Sequence, residues 1–306
     1  MSAETHLEVY RPFQGKLSEH PLRFWPLLTT GLRTDLKQRK ALVILYLPAT
    51  IVTVILCFVM YVKFTAEQMV PESDGSSLDL REALVQGMMR AQAEQLFGIV
   101  NLILQFSKGM GSFALLAVSW FASGLLCEDR KAGAHQLYFA RPITRFDYFL
   151  GKFLTAAFFA ACAMVVPLLA VCIAATFCSP EWSFLKKEWD VYFRVLAFSG
   201  LWTVVCSSLV LMASSLASRK SFALLGIFGF VMLSLPVGGI LGEFVDKNLF
   251  ALMLFVDLDV LAHDFFGQPS EIQGVNVGSA WIAVGALLAV SWSVIWLRIR
   301  RLEVVA

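Results

Sequence analysis

Charge is scarce in this chain. Only 16% of its 306 residues are Asp, Glu, Lys or Arg, where a soluble domain usually carries about a quarter. That deficit excludes an ordinary water-facing globule. The six cysteines form no CxxC or Cys/His spacing, so no metal site is expected, and free buried thiols are the expected state. The first sixteen residues, MSAETHLEVYRPFQGK, have no apolar core and so do not read as a signal peptide. No repeat of solenoid length and no low-complexity linker divides the chain. A formal net charge of +2 carries no information about polyanions, because placement matters more than the total, and no nucleic-acid partner is expected.

What is present is apolar. Hydrophobic residues make up 58% of the chain, with 26 Phe and 8 Trp. A membrane span needs about 20 apolar residues, and six segments meet that length: Ala41–Val62, Phe97–Leu126, Tyr148–Phe177, Tyr192–Leu216, Ser221–Leu241 and Val277–Leu297. The fold class expected is all-α, a polytopic membrane protein. Residues 1–40 form an N-terminal segment, and residues 41–306 form one six-span domain. The second span is the least regular, because KGMG at 108–111 interrupts it and suggests an outer helix or a bend in its first half.

Most of the 25 Lys and Arg, and a minority of the 23 Asp and Glu, fall on one side when the N-terminus is placed inside. The positive-inside rule therefore puts both termini in the cytoplasm, as in a bacterial-type inner membrane. On that inner side, Trp25, Leu28, Leu32 and Leu36 step by three or four residues beside Arg33, Lys37, Arg39 and Lys40. Pro26 suits a first helical turn. The segment reads as an amphipathic interfacial helix against anionic lipid headgroups; the plainer alternative is a helical lead-in to the first span. Outside, the loop after span one is long and acidic. The apolar segment 249–266 carries Asp257, Asp259 and Asp264, which forbid a seventh crossing and predict short helices dipping from the outer surface.

Ionisable groups, costly in lipid, are largely missing from the middles of the spans, which argues against an ion-driven carrier or a membrane protease. A phosphate loop is missing too: Gly151-Lys152 would need a glycine at position 146, which is Phe146. No catalytic residue is expected, and any ATP is hydrolysed by another chain. In span four, Ser199, Thr203 and Ser207 recur with Ser214 and Ser218 near one or two helical turns. A polar face toward a transport path is one reading; small residues that let helices approach closely are the commoner one. Pro236, with Gly238 and Gly239, predicts a kink or unwinding near the outer end of span five.

The polar stretch CEDRKAGAHQLYFARPITRFDYFLGKF joins spans two and three. Glu128, Asp129 and Arg130 end one span, and Gly133 permits a turn. Gln136 and Leu137 begin a short helix with one apolar face, Arg141 and Pro142 stop it, and Thr144 caps the next helix beside Arg145. A solvated connector is the bland reading. The arrangement resembles the ABC type-2 exporter permeases, whose corresponding loop runs acid, Gly, Leu, Pro, Arg and Gly-Lys; here these fall on Glu128, Gly133, Leu137, Pro142, Arg145, Gly151 and Lys152. It looks closest to the branch serving copper-enzyme maturation and gliding machinery, although the long first outer loop departs from short members.

The resemblance implies a cytoplasmic coupling helix that docks into an ATPase subunit, with ATP and Mg bound by that partner. It also implies pairing with a second permease copy or a homologue, and places Pro236 near the dimer axis. The chain is then expected to be the transmembrane subunit of an exporter and not itself an enzyme. The rival expectation is a non-transporting membrane anchor that relays ATPase motion to an envelope or periplasmic protein.

Overall fold

A computed structural model describes residues 24–69, 98–134, 138, 143–269 and 275–301. Among these residues every regular element is helical. Helix α1 is Trp25–Leu36, α2 Arg39–Met69, α3 Ile99–Ala122, α4 Cys127–Lys131 and α5 Arg145–Cys178; α6 is Ser183–Lys187, α7 Asp190–Leu216, α8 Lys220–Phe244, α9 Leu254–Phe266 and α10 Val277–Arg300. Among the described residues six segments are long and apolar enough to cross a membrane: Arg39–Thr65, Ile99–Lys131, Arg145–Cys178, Asp190–Leu216, Lys220–Phe244 and Val277–Arg300. The chain is a multi-pass membrane protein. Lipid cannot hydrogen-bond a backbone, so each crossing closes its own bonds as a helix.

The spans are not equivalent. In the apolar window of the second span 78% of residues are buried, against 11% in the first and 17% in the fifth. The core is therefore α3, α5 and α7, which pack on one another, with α2 against α5 and α10 against α7. Its interior holds Phe121 stacked on Phe159 at 4.5 Å, together with Trp202 and Phe198. The Tyr46 hydroxyl donates to the Phe159 carbonyl at 2.8 Å and ties α2 to this core.

The break expected at KGMG does not occur. Helix α3 runs unbroken through Lys108–Gly111 and is interrupted instead by a turn at 123–126. The reason is packing: a Cβ at Gly111 would lie 2.4 Å from the Trp202 ring, so the glycine admits the indole of α7. Helix α8 likewise runs through Pro236, so of the kink or unwinding expected there the unwinding is absent. Gly238 and Gly242 receive Met253 and Phe250 at 2.6 Å from their would-be Cβ positions, which lets the following 3-10 segment Lys247–Leu252 lie against α8.

That segment and α9 are the two short helices expected between spans five and six. At 13 residues α9 is about 20 Å long, too short for a crossing. It packs against α3, α7 and α10 and ends at Gly267, whose φ of 66° is the left-handed conformation that closes a helix. Helix α5 opens with a capping box: the Thr144 hydroxyl accepts from the Asp147 backbone N–H at 3.1 Å, and the Asp147 carboxylate accepts from the Thr144 N–H at 3.0 Å.

Candidate functional site

The polar groups gather at the end of the bundle where α1 lies. Helix α1 meets the bundle on a face beside the Trp25–Leu28–Leu32–Leu36 stripe, of which Leu32 packs against the core. Leu27, Gly31 and Asp35, one turn apart, form the inward face, and Trp25 and Leu36 remain exposed. Contact is close because two glycines lack side chains. A Cβ on Gly151 would sit 2.9 Å from Leu27 Cβ, and one on Gly31 would sit 3.0 Å from the Thr155 hydroxyl. Gly151 thus seats α1 on α5.

Next to it, Lys152 is buried and pairs with Asp129 at 2.7 Å. The Tyr148 hydroxyl donates to the same Asp129 carboxylate at 2.9 Å. The lysine ammonium also lies 5.8 Å from the Tyr148 ring centre and 6.0 Å from that of Tyr138. Asp129 is satisfied by a cation and a phenol, so a charge pair can persist at low solvent exposure.

Arg130 reaches a different helix. Its guanidinium donates to the carbonyls of Ser215, at 2.8 Å, and Ala217. These carbonyls end α7 and have no intrahelical partner, and a cation there opposes the negative end of the helix dipole. The Ser214 hydroxyl accepts the backbone N–H groups of Leu126 and Cys127 at 3.1 and 3.3 Å. The turn after α3 is thereby pinned to α5 through Asp129 and to α7 through Arg130 and Ser214. Glu128 is exposed and folds over Gly124, where a Cβ would lie 2.9 Å from its carboxylate. Gly133 adopts φ 66°, the turn its sequence position suggested. Arg145 is exposed at the first residue of α5. Gln136, Leu137, Arg141 and Pro142 lie outside the described residues.

Residues 83–305 match the family whose description reads protein of unknown function, DUF2705. The chain belongs to the DUF2705 family. No curated protein matches it.

Of the span-four stripe, Ser199 and Ser207 are buried and Thr203 is half-buried, on a helix enclosed by α3, α5, α8 and α10. The hydroxyls of Thr203 and Ser207 have no hydrogen-bond partner. Among the described residues no cluster of His, Cys, Asp or Glu could hold a metal ion.

A second polar centre lies toward the opposite end. Lys108, inside span two, pairs with Asp259 of α9 at 2.5 Å, and the His263 ring accompanies it, with Nδ1 2.9 Å from the Asp259 carbonyl. Lys108 lies about 13 Å along α3, so α9 reaches well into the bundle. Asp264 is exposed and Asp257 is buried, with its Oδ1 unpartnered. Burial pushes the Asp257 carboxyl up to about 8.

Two of these features escaped the sequence. Asp35 was submerged in a run of basic residues, and only its spacing of four from Gly31 and eight from Leu27 marked it as inward-facing. The partners of Lys152 and Lys108 are set by tertiary contact and had no local signal.

Proposed function

We propose that this chain is the membrane-spanning permease subunit of an ATP-driven ABC exporter, coupled through residues 128–145 to a separate ATPase chain. One observation carries the reading: the base of that segment is gripped by Lys152 and Tyr148 of α5 and by the end of α7. A displacement of the segment is therefore delivered to two spans and not absorbed by a loose connector. Both termini face the cytoplasm of a bacterial-type inner membrane in this reading, where the exposed Trp25 and Leu36 of α1 meet lipid. The weakly buried first and fifth spans leave surface for a second copy or a homologue. ATP and Mg belong to the ATPase partner.

A second reading is a non-transporting anchor that passes ATPase motion to an envelope protein. The pairing of Lys108 with Asp259 favours it, because that pair spends a charge at depth on internal structure and not on a passing solute.

The test is purification of the tagged full chain in mild detergent. An ABC ATPase subunit should co-purify in fixed ratio, and Leu137→Asp should release it without changing the gel-filtration profile, since a charge on a docked apolar face costs several kcal/mol, about 2–7 for an unpaired polar group. An unaltered complex in Leu137→Asp, or no ATPase with the wild type, overturns the coupling. Substrate-stimulated vectorial transport separates the exporter from the anchor. Impermeant labelling of single cysteines should reach positions 74 and 186, but not 40 and 300, in intact cells.

A further inference from the structure

A cavity of about 180 Å³ opens between α1, the end of α3, α4 and the starts of α5 and α8. Liquid water occupies about 30 Å³ per molecule, so the space admits a small polar group. Charged residues of both signs line it: Asp35, Glu128 and Asp129, together with Lys152 and Lys220.

These groups are not equally satisfied. Asp129 holds Lys152 and Tyr148. Lys220 lies 5.4 Å from the Trp120 ring centre, an aromatic contact that leaves its N–H donors unsaturated by oxygen. Asp35 is only 8% exposed, and its Oδ2 is buried without a partner. A carboxylate oxygen in that state requires a donor. Burial raises the Asp35 carboxyl to about 6, with Lys220 and Lys152 opposing the rise and Glu128 adding to it.

With Asp129 and Lys152 paired, a simple anion entering here would still face Asp35 and Glu128, and a simple cation would face Lys220. A dipolar ion can answer both signs. We propose that this cavity binds a zwitterionic aminoalkyl phosphate, its ammonium donating to Asp35 and its phosphate accepting from Lys220. The ammonium must be primary: three N–H groups can reach the buried oxygen, whereas a trimethylammonium offers none. The cavity lies at the ends of the spans, where phospholipid headgroups lie, and a soluble phosphoethanolamine has the same chemistry. The proposal does not depend on the transporter reading.

The test uses the full chain in detergent, with retained lipid read by native mass spectrometry. Phosphatidylethanolamine, phosphatidylcholine and phosphatidylglycerol are each offered at equal concentration. Wild type should retain phosphatidylethanolamine about tenfold over either of the others. Asp35→Asn should erase the preference over phosphatidylcholine, and Lys220→Gln should lower phosphatidylethanolamine retention about tenfold, with thermal unfolding confirming that both variants are folded. Displacement of the lipid by millimolar phosphoethanolamine identifies a soluble ligand; displacement by lipid alone identifies the bilayer as the source; either supports the site. Equal retention of the ethanolamine and choline lipids by wild type, or unchanged preference in Asp35→Asn, or unchanged retention in Lys220→Gln, overturns it.

Discussion

At the α1 end, Asp129 and Lys152 pair at 2.7 Å beside a buried carboxylate, Asp35; toward the α9 end, Lys108 and Asp259 pair at 2.5 Å, and Asp257 is the buried carboxylate. Both pairs fasten a shorter element to a span. The two lone acids behave differently although they are almost equally hidden, at 8% and 3% exposure. Asp35 feels two lysines and is raised only to about 6, whereas Asp257 has burial alone acting on it and rises to about 8. Neighbouring cations, and not depth, hold the rise of one acid below that of the other. The first is equipped to hold a ligand, and the second to pack.

The largest effect should come from breaking the ion pairs one partner at a time. Lys152→Met leaves Asp129 as an uncompensated buried charge and should cost about 3–5 kcal/mol, read as a fall in the thermal midpoint in detergent. Adding Asp129→Asn should recover most of the loss. Lys108→Met should cost about half as much, because the Lys108 side chain is 21% exposed against 8% for Lys152, so water screens its pair more. Equal losses at the two ends would erase the contrast.

The pH profile should separate the two acids next. Between about 4 and about 8 the folded chain keeps a proton on Asp257 that the unfolded chain has released, so stability falls as pH rises through that window. For Asp35 the sign is the same, but the window closes near 6. Between pH 6 and pH 8, Asp257→Asn should therefore flatten the stability curve by about 2 kcal/mol, at about 1.4 kcal/mol per pH unit, whereas Asp35→Asn leaves its slope unchanged. Denaturation at several pH values in one detergent measures both.

The smallest effects should come from the glycine contacts. Gly151→Ala brings a methyl within 2.9 Å of Leu27 Cβ and should cost about 1 kcal/mol, shifting the Trp25 emission as α1 moves away. Gly242→Ala, against the Phe250 ring, should cost a similar amount without moving Trp25.

The spans were legible because lipid imposes a length and a polarity that survive in one dimension: Ala41–Val62 and Val277–Leu297 lie inside helices α2 and α10. Thr144 was legible as a cap because capping is local. Segment 249–266 was legible as a non-crossing element because three aspartates are too costly in lipid. What escaped was long-range. The glycines of KGMG looked like a break, yet Gly111 is a seat for Trp202, some 90 residues later, and no local rule distinguishes a glycine that bends a helix from one that admits a neighbour. Asp35 looked like one charge on a solvated basic segment, because the side of α1 that packs depends on where Gly151 arrives. The coupling reading rests on the same kind of contact: Asp129 and Arg130 stood in the polar stretch between spans two and three, but their grips on Lys152 and on the end of α7 were invisible in it.

The Lys108–Asp259 pair also sets a clock for biogenesis. Asp259 is translated about 150 residues after Lys108, which at 5–20 residues per second is a wait of roughly 8–30 s. Lys152 follows Asp129 within a few seconds at most. During synthesis one end of the bundle thus acquires its ion pair almost at once, while the other receives the Asp259 carboxylate only when the last third of the chain arrives. A nascent chain arrested before α9 should be handled by the insertion and quality-control machinery as an unfinished membrane protein, even with its first five spans already made.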